Sequence, residues 1–159
     1  TSVTAAIPGA RLDIYGDGPL RTELDALIGE LGLRDVVALR GHVAEASDQL
    51  DDAALLLLTT AFEGQGLVVV EALSHGCPVI SYDVGYGPHD MLSGGGGLLV
   101  PSGDVAALAA AITRVLADAA LREQLGAEAV AAAHRMDVSA SMTALAGAVA
   151  RALEGPARR

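Results

Sequence analysis

Ala54 to Thr59 reads ALLLLT, an unbroken apolar run without alternation. A strand wetted on one side alternates apolar and polar residues, so such a run fits a strand covered on both faces, as in a parallel sheet. Parallel neighbours need a crossover, usually a helix. GLVVVEALSHG, Gly66 to Gly76, lies between ALLLLT and a second strand candidate, PVISY at Pro78 to Tyr82. Its three consecutive valines favour strand by local propensity. Its place between two better strand candidates and its His75-Gly76 ending favour helix. Context outvotes propensity, and a helix here completes a βαβ unit.

The same alternation extends both ways. TSVTAAIPG reads as a helix end and a Pro-Gly turn, and RLDIY at Arg11 to Tyr15 as a strand. Pro19 suits a first helical turn, and Leu20, Leu24, Leu27, Ile28 and Leu31 mark one helix face that Gly32 can end. VVALR at Val36 to Arg40 is a strand, Ala46 to Leu50 a short helix, and Leu98 to Val100 a last strand. Asp104 can cap a helix carrying Val105, Leu108, Ile112, Val115 and Leu116 on one face. Leu121 to Ala133 and Ser139 to Leu153 read as further helices, and GPARR as a frayed end. The pattern predicts an α/β fold, Rossmann-like, with one open parallel sheet flanked by helices.

The chain has 159 residues, enough for one domain with a real core. We place a sheet domain at 1–135 and a C-terminal helix and tail at 136–159. Aromatics make up 3% of the residues, so large rings do not fill the core. The net charge of -10 disfavours nucleic acid as a partner. It does not exclude a phosphate ligand, which backbone amides can hold. The single cysteine, Cys77, rules out an intrachain disulfide and fits a reducing compartment such as the cytoplasm. Signal-peptide and membrane-span patterns are not visible. The abrupt start raises the expectation of a longer protein.

Ligands of open α/β sheets bind beyond the carboxyl ends of the strands. The loops expected there are GDGP, GHV, TTAFEGQG and YDVGYGPHD. Gly64 and Gly66 let backbone approach a ligand, and a helix starting near Gly66 offers free N–H groups and the positive end of its dipole. That is a diphosphate site. Glu71 would lie roughly 7.5 Å along the axis, beyond the phosphates but within reach of a ribose. Glu63 would sit on their other side. One carboxylate on either side of a diphosphate suits a nucleotide sugar. A valine at Gly66 should fail because its side chain would enter the phosphate space.

The stretch AFEGQGLVVVEALSHGCPVISYDVGYGP resembles the second-domain signature of retaining GT-B glycosyltransferases of the glycosyl transferases group 1 family. GDGP, the glycine-ended second strand and GLLVPSGD follow the family order over Arg11 to Leu125. The wording is closest to the branches that glucosylate teichoic-acid-type polymers or add GlcNAc to serine-rich adhesins. The resemblance implies that Glu63 approaches the donor sugar's hydroxyls as the catalytic carboxylate, and that the Gly66 and Leu67 amides hold the diphosphate. It implies that Glu71 binds the ribose, that His42 and Val43 lie against the base, and that Gly16 lets backbone pass the donor. It further implies retention at the anomeric carbon without a metal or other cofactor. UDP-glucose or UDP-GlcNAc would be the donor, and a glycan, polymer or protein the acceptor. The family's basic GRL…KG segment and its N-terminal acceptor-binding domain have no counterpart in the chain, which is expected to be inactive alone. The implied location is the cytoplasm or the inner face of the membrane.

His89, in YGPHD, is a further candidate on the site edge, touching donor or acceptor. His75 should face away from it, and His134 reads as a surface residue. Arg21 and Arg40 read as surface charges, GGGG at 94–97 as a turn, and Cys77 as buried packing. Three other classes are compatible with an open α/β sheet. These are an inactive GT-B-like partner module, which usually loses the glutamates, a nucleotide-sugar 2-epimerase, and a receiver-like regulator. The latter two need acidic patterns that the chain does not show.

Overall fold

In the computed structural model, which describes residues 1–154, helices and strands alternate in the predicted order. Helix α1 (Ser2–Ala6) leads through the Pro8-Gly9 turn into β1 (Leu12–Tyr15), α2 (Arg21–Glu30) and β2 (Val37–Gly41). A 3-10 helix (Ala46–Leu50) precedes β3 (Leu56–Leu58), α3 (Leu67–Ser74) and β4 (Val79–Asp83). Then come α4 (Pro88–Leu92), β5 (Gly97–Pro101), α5 (Val105–Ala117), α6 (Ala119–Arg135) and α7 (Val138–Glu154). The expectation for GPARR falls outside the described residues.

All strand pairs are parallel, as the apolar runs require. The expected α/β fold of parallel strands flanked by helices forms, with the strands in two hydrogen-bonded groups. β1 pairs with β2, and β3, β4 and β5 pair in that order, giving two separately hydrogen-bonded sheets. β3 is correspondingly shorter than ALLLLT implies and only half-buried, because it is an edge strand. The fully covered strand is β4, whose Val79, Ile80, Ser81 and Tyr82 are all buried between two neighbours. The segment YGPHD, read as loop, carries the short helix α4 with Pro88 at its start.

The strand period divides the core in two. Val79 joins Val69, Ala72, Leu73, Cys77 and Ala129, where α3 and α6 cover one face. Ile80 joins Val115 and Leu125, where α5 covers the other. Within the apolar run, Leu56 packs on the first side and Leu55 and Leu57 on the second. Helix α3 forms despite its valines because Val69, Ala72 and Leu73 fall on one face and become fully buried. Buried apolar area outweighs a propensity difference of a few tenths of a kcal/mol per residue. Asp104 and Asp118 cap α5 and α6, accepting from the N–H groups of Ala107 (2.8 Å) and Leu121 (3.0 Å).

The GGGG turn is a structural element. Arg135 Nη2 donates to the Gly94 carbonyl at 3.0 Å, and the Gly96 N–H donates to Glu128 at 3.2 Å. A Cβ at Gly96 would crowd Leu73 and the Ala129 backbone. Aromatics are indeed marginal to the core. Tyr82 is buried, whereas Phe62 (82% exposed) and Tyr86 (70%) project to solvent.

Cys77 is buried against the Ala53 carbonyl side of the core, and burial pushes its thiol up to about 11. A thiol needs to be both ionised and accessible to react. The folded chain should therefore resist a disulfide-exchange reagent at neutral pH and release one equivalent of thiol only on unfolding. Rapid labelling of native protein would show that α3 opens locally.

Candidate functional site

The predicted residues all follow the carboxyl ends of strands. Gly16 follows β1, His42 and Val43 follow β2, Glu63 to Gly66 follow β3, and His89 lies beyond β4. Gly66 is the residue before α3 and adopts the left-handed backbone region, φ 72° and ψ 60°. It has no side chain to cap the helix. The first amides of α3 therefore lack a side-chain acceptor at an end that carries positive partial charge. Leu67, the first helical residue, is exposed.

Glu63 is half-buried, and its carboxylate accepts a hydrogen bond from the Gly64 N–H at 3.2 Å. Glu71 is exposed one turn into α3, and its carboxylate makes no hydrogen bond or ion pair with the described residues. An exposed carboxylate needs no internal partner, so its apolar sequence neighbours do not strain it.

The glycine at 66 works differently from expectation. A Cβ there would point inward, 3.2 Å from Glu63 Cγ, 3.5 Å from Val69 Cγ2 and 3.6 Å from Pro88 Cγ. It would not enter the phosphate space. The residue is needed for its backbone conformation and for close packing beneath the turn.

That packing introduces residues that sequence reasoning missed. Gly87 (φ 57°) lies directly under the turn, because a Cβ on it would be 2.9 Å from the Gln65 carbonyl oxygen and 3.0 Å from that of Gly64. Pro88, fully buried, follows. His89 Nδ1 donates to Asp83 Oδ1 at 2.9 Å, and the Gly85 N–H donates to the same oxygen at 3.2 Å. The hydrogen bond from His89, then that from Gly85, holds the Asp83 carboxyl below its ordinary value. Asp83 closes a strand six residues before His89, a spacing that carries no signal in the sequence.

The β1–β2 side is joined through its own contacts. The Gly16 N–H donates to the Gly41 carbonyl at 2.7 Å, and space around Gly16 (φ 109°) is open. His42 and Val43 are exposed. Tyr15 Oη reaches Gln49 Oε1 at 3.4 Å. None of these contacts connects Gly16, His42 or Val43 with Glu63 to Glu71. Arg21 Nη2 donates to the Leu39 carbonyl (3.1 Å) and Arg40 Nε to Asp13 Oδ1 (2.7 Å). His75 sits at the far end of α3, away from the turn as expected, with Nδ1 2.6 Å from Asp51 Oδ1. An open depression of about 700 Å³ lies on that opposite side, where Ala53 and Pro78 precede β3 and β4. It is remote from the glutamates. Among the described residues no helix is long and apolar enough to cross a membrane.

Parallel strands, glycine-rich loops at their carboxyl ends and a helix start there without a side-chain cap define a Rossmann-like α/β domain. The sequence model described as Glycosyl transferases group 1 matches residues 2–118, and the chain belongs to that family. It is similar to an exopolysaccharide phosphotransferase of Streptomyces coelicolor, 41% identical over 77% of this chain and 13% of the relative. It is also similar to the poly(glycerol-phosphate) alpha-glucosyltransferase of Bacillus subtilis, 32% identical over 80% of this chain and 19% of the relative. Among solved structures it resembles the pneumococcal O-GlcNAc transferase GtfA in complex with UDP and GlcNAc. There the TM-score is 0.79 and the identity 27%, over 95% of this chain and 31% of that one. The chain thus spans less than a fifth of the two curated relatives' lengths. The GT-B resemblance read from AFEGQGLVVVEALSHGCPVISYDVGYGP is borne out at the level of family and fold.

Proposed function

We propose that the chain is the donor-binding half of a retaining glycosyltransferase. It would move a hexose from UDP-glucose or UDP-GlcNAc to a glycan, polymer or protein acceptor. The observation that carries the reading is the turn from Glu63 to Leu67, which leaves the start of α3 uncapped with Glu71 one turn further on. UDP and GlcNAc in the complex of the pneumococcal neighbour support the choice of donor.

In this reading the Gly66 and Leu67 amides hold the diphosphate and Glu71 accepts from the ribose hydroxyls. Glu63 exchanges its bond to Gly64 for the hexose hydroxyls, His42 and Val43 lie against the base, and Gly16 lets backbone pass the donor. The bond between the anomeric carbon and the diphosphate oxygen breaks, and the diphosphate leaves with the electron pair. The acceptor hydroxyl attacks the same face of the sugar, and its proton passes to the departing phosphate oxygen. No metal enters this scheme. An upstream domain would bind the acceptor, and an upstream strand could pair with the free edges of β1 and β3. The whole enzyme would work in the cytoplasm or at the inner face of the membrane.

The test is an NMR titration with UDP, GDP, ADP and UDP-glucose, following the amides of Glu63 to Glu71. Shifts concentrated at Gly66 and Leu67, with one base preferred, are expected. Absence of any shift at millimolar ligand, even with the upstream segment restored, would overturn the reading. The two glutamates should then separate. Glu71→Ala should weaken UDP about tenfold through a lost charge-assisted hydrogen bond. It should leave stability within about 0.5 kcal/mol, since Glu71 is exposed and unpartnered. Glu63→Ala should spare UDP and abolish the preference for its sugar conjugate. Equal losses for both ligands would contradict that division of roles.

A further inference from the structure

The start of α4 packs against the turn that the proposed donor site uses, and it carries a histidine already oriented by a carboxylate. Gly87 lies under the Gly64 and Gln65 carbonyls, and Pro88 lies beneath Gly66. His89 comes two residues after Gly87, so its Cα is at most about 7 Å further along the chain. Its Nδ1–H is committed to Asp83, which the Gly85 N–H also holds. An imidazole fixed through Nδ1 has its Nε2 available to a second partner. His89 Nε2 has none among the described residues, and the side chain is about half exposed (47%).

Charge sharpens the choice of ligand. The sequence contains no lysine, and Arg21 and Arg40, the basic residues nearest the strand ends, are held by Leu39 and Asp13. The charged or basic side chains of the turn, α3, α4 and the last residue of β4 are Glu63, Glu71, Asp83, Asp90 and His89. Four of these are acidic. Within this chain a diphosphate brought to the turn meets backbone amides and repelling carboxylates, and a protonated His89 would be the side chain of α4 able to offset its charge. That charge grows on the leaving group as the glycosidic bond breaks, where a fixed donor is most effective.

We infer that His89, oriented by Asp83, is a direct cationic contact for the diphosphate of the nucleotide sugar. The inference rests on the donor-site reading above. Asp83 is the positioning residue, holding the ring through Nδ1–H, and the contact uses the imidazolium, in which Nε2 also carries a proton.

The test titrates the chain with UDP and with uridine, following the His89 imidazole signals and the Gly64 to Leu67 amides together. In the wild type, UDP should shift both the imidazole and the amides, and uridine should leave the imidazole unmoved. His89→Gln should weaken UDP about tenfold while changing uridine less than about twofold. His89→Arg should restore much of the loss, and Asp83→Asn should give an intermediate one. Wild-type amide shifts with UDP, joined to equal UDP affinity in His89→Gln, would overturn the role of His89 and leave the donor site standing. Failure of UDP to move the wild-type amides would remove both.

Discussion

Gly66→Val should cost UDP affinity about 100-fold or more, without the side chain ever reaching the ligand. Gly66 holds φ 72° and ψ 60° immediately before α3. The left-handed region costs an ordinary residue about 1–2 kcal/mol, and more for a β-branched one. The added Cβ would also sit 3.2 Å from Glu63 Cγ and 3.6 Å from Pro88 Cγ, both in the packed layer under the turn. Relief requires the turn to open, which moves the first amides of α3 and the Glu63 carboxylate together. Losing two amide contacts to a charged group, at roughly 1.5–3 kcal/mol each, accounts for the magnitude. Paired UDP titrations and urea melts would measure it. Near-wild-type affinity with unchanged amide shifts would show that the diphosphate does not depend on this turn.

The second large effect concerns stability. Gly97→Ala should destabilise the chain by about 3 kcal/mol or more, at the upper end for overpacking. Gly97 opposes Val79 in the β4–β5 ladder. Its Cβ would drive into the Val79 carbonyl and lie 3.0 Å from Leu92 Cδ2. Backbone cannot step aside here, because Val79 is fully buried in the middle strand. The mutation therefore breaks a ladder bond or displaces β5. Against the 5–15 kcal/mol stability of typical domains, that is a large fraction. Gly18→Ala is the matched control, since nothing lies within 4 Å of a Cβ there. A wild-type urea midpoint for Gly97→Ala would mean that β5 pairs differently from the observed register.

Both glycines stood out in the sequence, yet for incomplete reasons. Gly66 was visible as a ligand-facing turn residue, whereas its inward packing on Pro88 joins residues 22 positions apart. The GGGG segment was readable as a turn. That its last glycine must clear a carbonyl of β4 depends on register, which non-local pairing sets. Helix α3 shows the reverse. Its valines misdirect a local reading, and the flanking strands correct it because a parallel pair demands a crossover.

By itself the sequence determined the order of elements, the parallel pairing and the edge on which the glycine-rich loops gather. These follow from short periods of apolar residues and from turn chemistry, which act over a few positions. It also carried the family signature, from AFEGQGL through GCPVI. Only the tertiary structure decided that β1–β2 and β3–β4–β5 bond as separate sheets, and that Gly66 faces inward. The same holds for Glu71 standing free in solvent and for Asp83 holding His89 near the start of α4. Each of these depends on which surfaces meet once α3, α4 and the strands are packed. Packing depends on the relative placement of whole elements, which no local pattern encodes.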